Sequence, residues 1–221
     1  MPVKRLMYGF VSRTSNPWKF CDFQCVYCYG RLYGQDKVLE IHASQLRRRF
    51  KATDCVMIPS LGDPYCKSAP KNINEILLKE IRNSPPSTKF LVQTKNPLGF
   101  FGTRFPSNVI LGCTIESNRN YPRISKAPLQ SERIKLMKKL CHEVSNDILI
   151  TAEPILDFDH QPFLNAILSI GPWLFAVGYK NHFPELKLPE PRLKKTLTLI
   201  DKLKENGVKV FKKELRRAWY E

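Results

Sequence analysis

The chain has 221 residues, a length that suits one domain with a sizeable core. Hydrophobic residues make up 43%, which excludes a disordered chain, and no apolar run approaches a membrane span. Lys plus Arg number 36 against 20 Asp plus Glu, and the resulting charge of +16 favours a polyanionic partner such as DNA or RNA. A solvated positive face is the plainer reading of the same charge. Seven cysteines, an odd number, and the lack of a basic-then-apolar leader argue against a disulfide framework. These features together describe a soluble, cytoplasmic protein with one domain over 1–221 and no accessory domain.

In chain order, "RLMYGFV" (5–11) reads as a first strand and "ASQLRRRF" (43–50) as a short helix. "CVMIPSL" (55–61) is a strand bounded by "GDP", and "INEILLKEIRN" (73–83) is an amphipathic helix. The cycle continues with strands at 89–94 and 109–116. A helix follows at 131–144, with Ser131 as the candidate N-cap. A strand at 147–156, a helix at 162–170 and a strand at 173–179 come next. A long helix at 191–207, with Pro191 near its start and Gly207 past its end, precedes a last short strand at 208–213. About six strands alternating with helices predict a parallel sheet. Periodicity leaves a partial barrel and a doubly wound sheet both open.

Polar and unusual residues cluster after the strands: "SNPWKFC", "GDPYC", "TKNP", "ESNRN", "EPILDFD" and "GYKNH". In α/β folds the C-terminal rim is where active sites are built. The first rim loop carries "CDFQCVYC", with Cys21, Cys25 and Cys28 within eight residues. Thiolates select zinc, copper(I) or iron–sulfur clusters. A closed zinc site would need a fourth ligand, for which His42 is the nearest downstream histidine. An iron–sulfur cube with three protein ligands would leave one iron open. Cys55, Cys113 and Cys141 read as core residues, whereas Cys66 lies in a polar loop.

Cys-x-x-x-Cys-x-aromatic-Cys after the first strand of an α/β chain of this length resembles the radical S-adenosylmethionine (radical SAM) superfamily. The resemblance implies a partial (β/α)6 TIM-type barrel of parallel strands, with Cys21, Cys25 and Cys28 holding a [4Fe–4S] cluster. The open iron would take the amino and carboxylate groups of SAM, and Tyr27 would lie near the adenine. "SLGDPY" stands where the superfamily carries a Gly-Gly-Glu-like motif, so Gly62 and Asp63 are the candidates to meet the SAM amino group. A ferredoxin or flavodoxin would supply one electron. Cleavage of SAM would give a 5′-deoxyadenosyl radical that abstracts hydrogen from substrate. "GDPYCKSAP" with "VQTKNP" is similar to the spore photoproduct lyase-like branch. "QTKNP", "NVILGCTIES" and "AEPILDFD" are similar to a compact phage- and archaea-associated group.

Other rim residues extend the candidate site. Lys95 is a point charge for the SAM carboxylate, Glu116 and Ser117 are candidates for ribose hydroxyls, and Glu153 for SAM or substrate. Gly178 and Tyr179 pack near adenine or simply in the core. Cys66 is a candidate hydrogen-atom donor to a substrate radical, against the reading of an ordinary loop cysteine. Substrate recognition falls to the rim loops, to the basic stretches "RRRFK" and "FKKELRRAWYE", or to a partner protein. Three readings stand at this point. They are a radical SAM enzyme on nucleic acid, one on a protein or small metabolite, and a non-catalytic zinc or cluster module that binds nucleic acid.

Overall fold

The structure is a computed structural model that describes residues 6–33, 49–213 and 215. Most of the expected helix at 43–50, His42 and most of the two basic stretches lie outside the described residues. Seven strands form one sheet: β1 (Arg13–Thr14), β2 (Cys55–Met57), β3 (Lys89–Thr94), β4 (Val109–Thr114), β5 (Ile148–Ala152), β6 (Leu174–Val177) and β7 (Val210–Lys212). Their spatial order is their chain order, and every neighbouring pair is parallel. The order never reverses, so each crossover steps the same way, the described α-helices fall on one face, and the sheet curls into a half-barrel. This decides between the two architectures that periodicity left open. The helices are α1 (Ile73–Arg82), α2 (Gln130–Leu140), α3 (His160–Ile170) and α4 (Leu193–Glu205), with α3 packed between α2 and α4.

The period-2 alternation of side chains divides the core in two. Val56, Phe90, Val92, Leu111, Cys113, Ile150 and Phe175 face outward and pack against the helices. Cys55, Met57, Leu91, Ile110, Leu149, Leu174 and Ala176 face inward and fill the base of the half-barrel. Both sides of the strands are apolar, which is why they read as continuous hydrophobic runs. A fully buried Leu or Phe contributes about 1.5–3 kcal/mol, so the sheet is anchored from both faces.

The N-terminal expectation needs correction. The apolar run around 5–11 is not a strand. Met7 and Val11 pair as an antiparallel bridge across a turn in which Tyr8 and Gly9 take φ of 54° and 78°. Tyr8 and Val11 pack with the inward cluster, so the run is apolar because it plugs the barrel. The first strand is the two-residue β1 that follows. Among the described residues the half-barrel has seven strands, the seventh lying in the stretch expected as a last short strand. Ser131 does not cap α2. The helix begins at Gln130, where the Leu129 amide donates to Glu132 Oε2 at 3.1 Å and the Ser131 amide to Asn120 Oδ1 at 3.0 Å. Cys55 and Cys113 are buried as expected, while Cys141 is only partly so.

Candidate active site

The cysteine loop follows β1 and is tied down on two sides. The Val26 amide donates to Ile124 O (2.9 Å), and the Lys126 amide to Phe23 O (2.7 Å), fixing the loop to the segment after β4. Asp22 accepts from the Ser68 amide and hydroxyl, both at 2.8 Å, fixing it to the segment after β2. Asn16 Oδ1 accepts from the Ser60 and Leu61 amides at 2.8 and 2.6 Å, clamping the first two rim loops together. The three thiols are therefore held by backbone contacts independent of any bound group.

Cys21, Cys25 and Cys28 line one cavity of about 360 Å³ at the C-terminal rim, with Tyr27, Gly62, Asp63, Lys95 and Glu153. These eight candidates thus face a common space. Among the described residues no group of three or more His, Cys, Asp or Glu side chains is drawn together to hold a single metal ion. Three thiols that share a cavity are soft ligands suited to zinc or to an iron–sulfur cluster. Cys25 is buried, its Sγ 3.1 Å from Ser125 Oγ, whereas Cys21 and Cys28 are partly exposed to the cavity. Burial raises the Cys28 pKa. A thiolate there calls for a positive partner, as a bound metal group provides. A Cβ on Gly62 would lie 3.0 Å from the Trp18 ring and 3.1 Å from Phe20 O, so only glycine lets this loop pack on the cysteine loop.

Asp63 is almost fully buried, and its carboxylate accepts from Thr94 Oγ1 (2.6 Å), the Lys95 amide (2.7 Å) and the Tyr65 amide (2.9 Å). Burial still holds its pKa above the usual carboxylate value. Beneath the cavity wall lies an ionic core. Glu116 Oε1 accepts from Lys95 Nζ (2.7 Å) and the Tyr27 hydroxyl, while Oε2 accepts from Arg133 (2.8 Å) and Gln130 Nε2 (3.3 Å). Lys95 Nζ also donates to the Tyr27 hydroxyl and lies 4.5 Å from that ring's centroid. Burial would raise the Glu116 pKa, but the Arg133 and Lys95 charges hold it well below the carboxylate range. Burial would lower the Lys95 pKa, and Cys25, Glu116 and Tyr27 outweigh that and hold it above its ordinary value.

Three candidates stand apart from the cavity lining. Glu116 is fully buried behind Lys95 and Tyr27. Ser117 is fully buried too. Its hydroxyl donates to Asp157 O (2.7 Å) and accepts from the Arg119 amide (3.0 Å). Cys66 is buried with its thiol against Cys21 rather than on the open cavity.

Several cavity residues escaped the sequence reading. Tyr8 belongs to the plug, and Lys213 follows β7. Gln93 lies on β3, with its Nε2 donating at 3.0 Å to both Thr114 Oγ1 and Thr151 Oγ1. Lys180, Asn181 and His182 also line the cavity, and "GYKNH" was the only signal for them. Tyr179 is buried, its hydroxyl donating to Pro191 O at 2.9 Å.

No protein-family profile and no curated protein sequence matches the chain. Solved structures do match. A radical SAM methyltransferase from Sphaerobacter thermophilus superposes with a TM-score of 0.62 at 11% identity, covering 93% of this chain and 65% of that one. SuiB of Streptococcus suis, in a structure with its precursor peptide SuiA, gives 0.63 at 12% identity, covering 93% and 49%. SuiB bound to S-adenosylmethionine gives 0.57 at 11%, covering 93% and 51%. The chain therefore spans half to two thirds of these proteins. At this identity the likeness is one of fold, that of the half-barrel found in radical SAM enzymes.

Proposed function

We propose that this chain is a radical SAM enzyme. The observation that carries the reading is the set of three thiols lining one rim cavity of a parallel half-barrel. Cys21, Cys25 and Cys28 would hold a [4Fe–4S] cluster, and the cavity volume is in the range of small-ligand sites. When bound, the cluster would supply the electron that splits the sulfonium of SAM into methionine and a 5′-deoxyadenosyl radical.

The chain's own residues bind and orient. Asp63 carries lone pairs for a cationic amine, with three donors fixing its plane. Lys95 faces the cavity as a fixed cation for a carboxylate, and Glu116 holds it there. Tyr27 presents a ring whose tilt is locked through its hydroxyl. Glu116 thereby acts as a positioning residue. The apolar base and the 6–11 plug keep bulk water from entering through the bottom of the barrel.

A nucleic-acid substrate is supported by the +16 charge and by the resemblance of "GDPYCKSAP" and "VQTKNP" to the spore photoproduct lyase-like branch. A peptide substrate is the second reading, favoured by the likeness to SuiB with its precursor peptide bound. A ferredoxin or flavodoxin would deliver the electron, and a partner protein is a candidate for substrate recognition.

Anaerobic purification tests the proposal. A brown protein with about four irons per chain that cleaves SAM under dithionite supports it. A colourless protein with one tight zinc overturns it. Binding to DNA or RNA that weakens steeply with salt favours the nucleic-acid substrate.

A further inference from the structure

The cysteine loop has an outer face as well as the inner one that lines the cavity, and the outer face is cationic. Hydrogen bonds of the loop place its neighbours. The Lys67 amide donates to Asp22 Oδ1 (3.3 Å), and the Lys126 amide to Phe23 O (2.7 Å). Arg123 precedes Ile124, whose carbonyl accepts from the Val26 amide (2.9 Å), and Arg31 Nη1 donates to Val26 O (3.3 Å). Cations from three rim segments therefore border the stretch from Asp22 to Val26. All of them are exposed, and none lines the cavity. Among the described residues none of them is paired with a carboxylate. Across 19–33, 64–71 and 119–128 the sequence holds one acidic residue, Asp22, and its carboxylate is taken up by the Ser68 amide and hydroxyl. Beside Arg31, the turn Tyr29–Tyr33 leaves Leu32 and Tyr33 exposed.

Charge of one sign gathered on one face steers a partner of the opposite sign. A small exposed apolar pair beside it suits a brief protein–protein contact of the kind redox partners make. Position chooses between partners. A substrate must put its reacting carbon inside the cavity, which these cations do not line. An electron needs no opening. It has only to cross the loop that separates this face from Cys21, Cys25 and Cys28. We propose that the cationic outer face of the cysteine loop, with Arg31, Lys67, Arg123 and Lys126, docks a small acidic one-electron carrier, a reduced flavin or iron–sulfur protein. One electron passes, oxidising the carrier and reducing the group held by the three thiols. The proposal rests on the reading of the chain as a radical SAM enzyme and gives that reading its point of electron entry.

The test uses the anaerobically reconstituted full chain, with a flavodoxin as the probe. Oxidised flavodoxin, labelled for fluorescence anisotropy, should bind the parent. Arg123→Glu combined with Lys126→Glu should weaken that binding about tenfold. Lys135→Glu combined with Lys194→Glu, at exposed positions on α2 and α4, changes the net charge equally. At about 0.15 M salt that control should weaken binding less than about twofold, because charges off the docking face are screened. Melting temperature and SAM affinity should hold in both variants. With limiting reduced flavodoxin the first variant should lose SAM cleavage, and with dithionite it should match the parent. Equal effects of the two double substitutions, or no effect of the first, overturn the docking face alone. So does failure of the parent to bind either flavodoxin or a plant-type ferredoxin. A single-stranded oligonucleotide that binds the parent and is released by the first variant, while flavodoxin binding is unchanged, gives the face to nucleic acid and overturns the proposal. Absence of SAM cleavage under dithionite overturns the radical SAM reading and the carrier assignment with it.

Discussion

Glu116→Gln is the most informative single substitution, because Glu116 is the anion held between two buried cations, Lys95 and Arg133. Its Oε1 receives Lys95 and Tyr27, and its Oε2 receives Arg133 and Gln130. Arg133 is 1% exposed, and its Nε and Nη1 also donate to Pro128 O (2.7 Å) and Thr114 O (2.8 Å). Glutamine keeps the shape but turns an N–H toward the Arg133 and Gln130 donors, and it removes the charge that offsets both cations. Breaking a buried pair in this way costs about 3–5 kcal/mol. In a chain of this size each kcal/mol moves the melting temperature by about 2–4 °C, so the expected fall is on the order of 10 °C.

Thermal unfolding followed by circular dichroism checks this, with Arg133→Met added in the Glu116→Gln background to recover part of the loss. The acid limb gives a second readout. The folded Glu116 pKa lies below its unfolded value, so its stabilisation is full above the unfolded pKa and disappears as pH falls through the folded one. Glu116→Gln should therefore flatten the stability profile below about pH 5. A variant that melts within about 2 °C of the parent, with an unchanged acid limb, would refute the reasoning.

Glu80, on α1, is buried with burial as the only cause acting on it, and its pKa is pushed up to about 7. A raised carboxyl stabilises the fold at low pH and loses that effect as pH rises through 7. Glu80→Gln should thus gain about 1–2 kcal/mol at pH 8 and little at pH 5 in urea titrations. Gly99→Ala would place a Cβ 2.1 Å from the Tyr65 ring. The ring must move, and with it the Tyr65 amide that holds Asp63, so a loss of about 1–3 kcal/mol should come with weaker SAM binding by calorimetry. Cys66→Ala, with the thiol placed against Cys21 and off the cavity lining, should retain both SAM cleavage and substrate turnover in a deuterium-transfer assay. Cleavage without turnover would instead make Cys66 the hydrogen donor.

Much of the architecture follows from local pattern. The α1, β3, β4 and α4 segments lie within a few residues of their apolar periodicity, because each buries a continuous face. The 6–11 run misled for a related reason. Apolarity reports burial, and a plug is buried as thoroughly as a strand. The spacing of Cys21, Cys25 and Cys28 is likewise local, and so were the rim loops that flank it.

The amino-acid sequence by itself determined an alternating α/β chain with a three-thiol loop on its rim. Only the tertiary structure decided that the sheet is singly wound, that Glu116 is a buried counter-ion, and that Glu153 meets Lys213 sixty residues away. Those outcomes depend on register and curl, which bring distant strands together. No local spacing records which side chains then share the inside of the barrel.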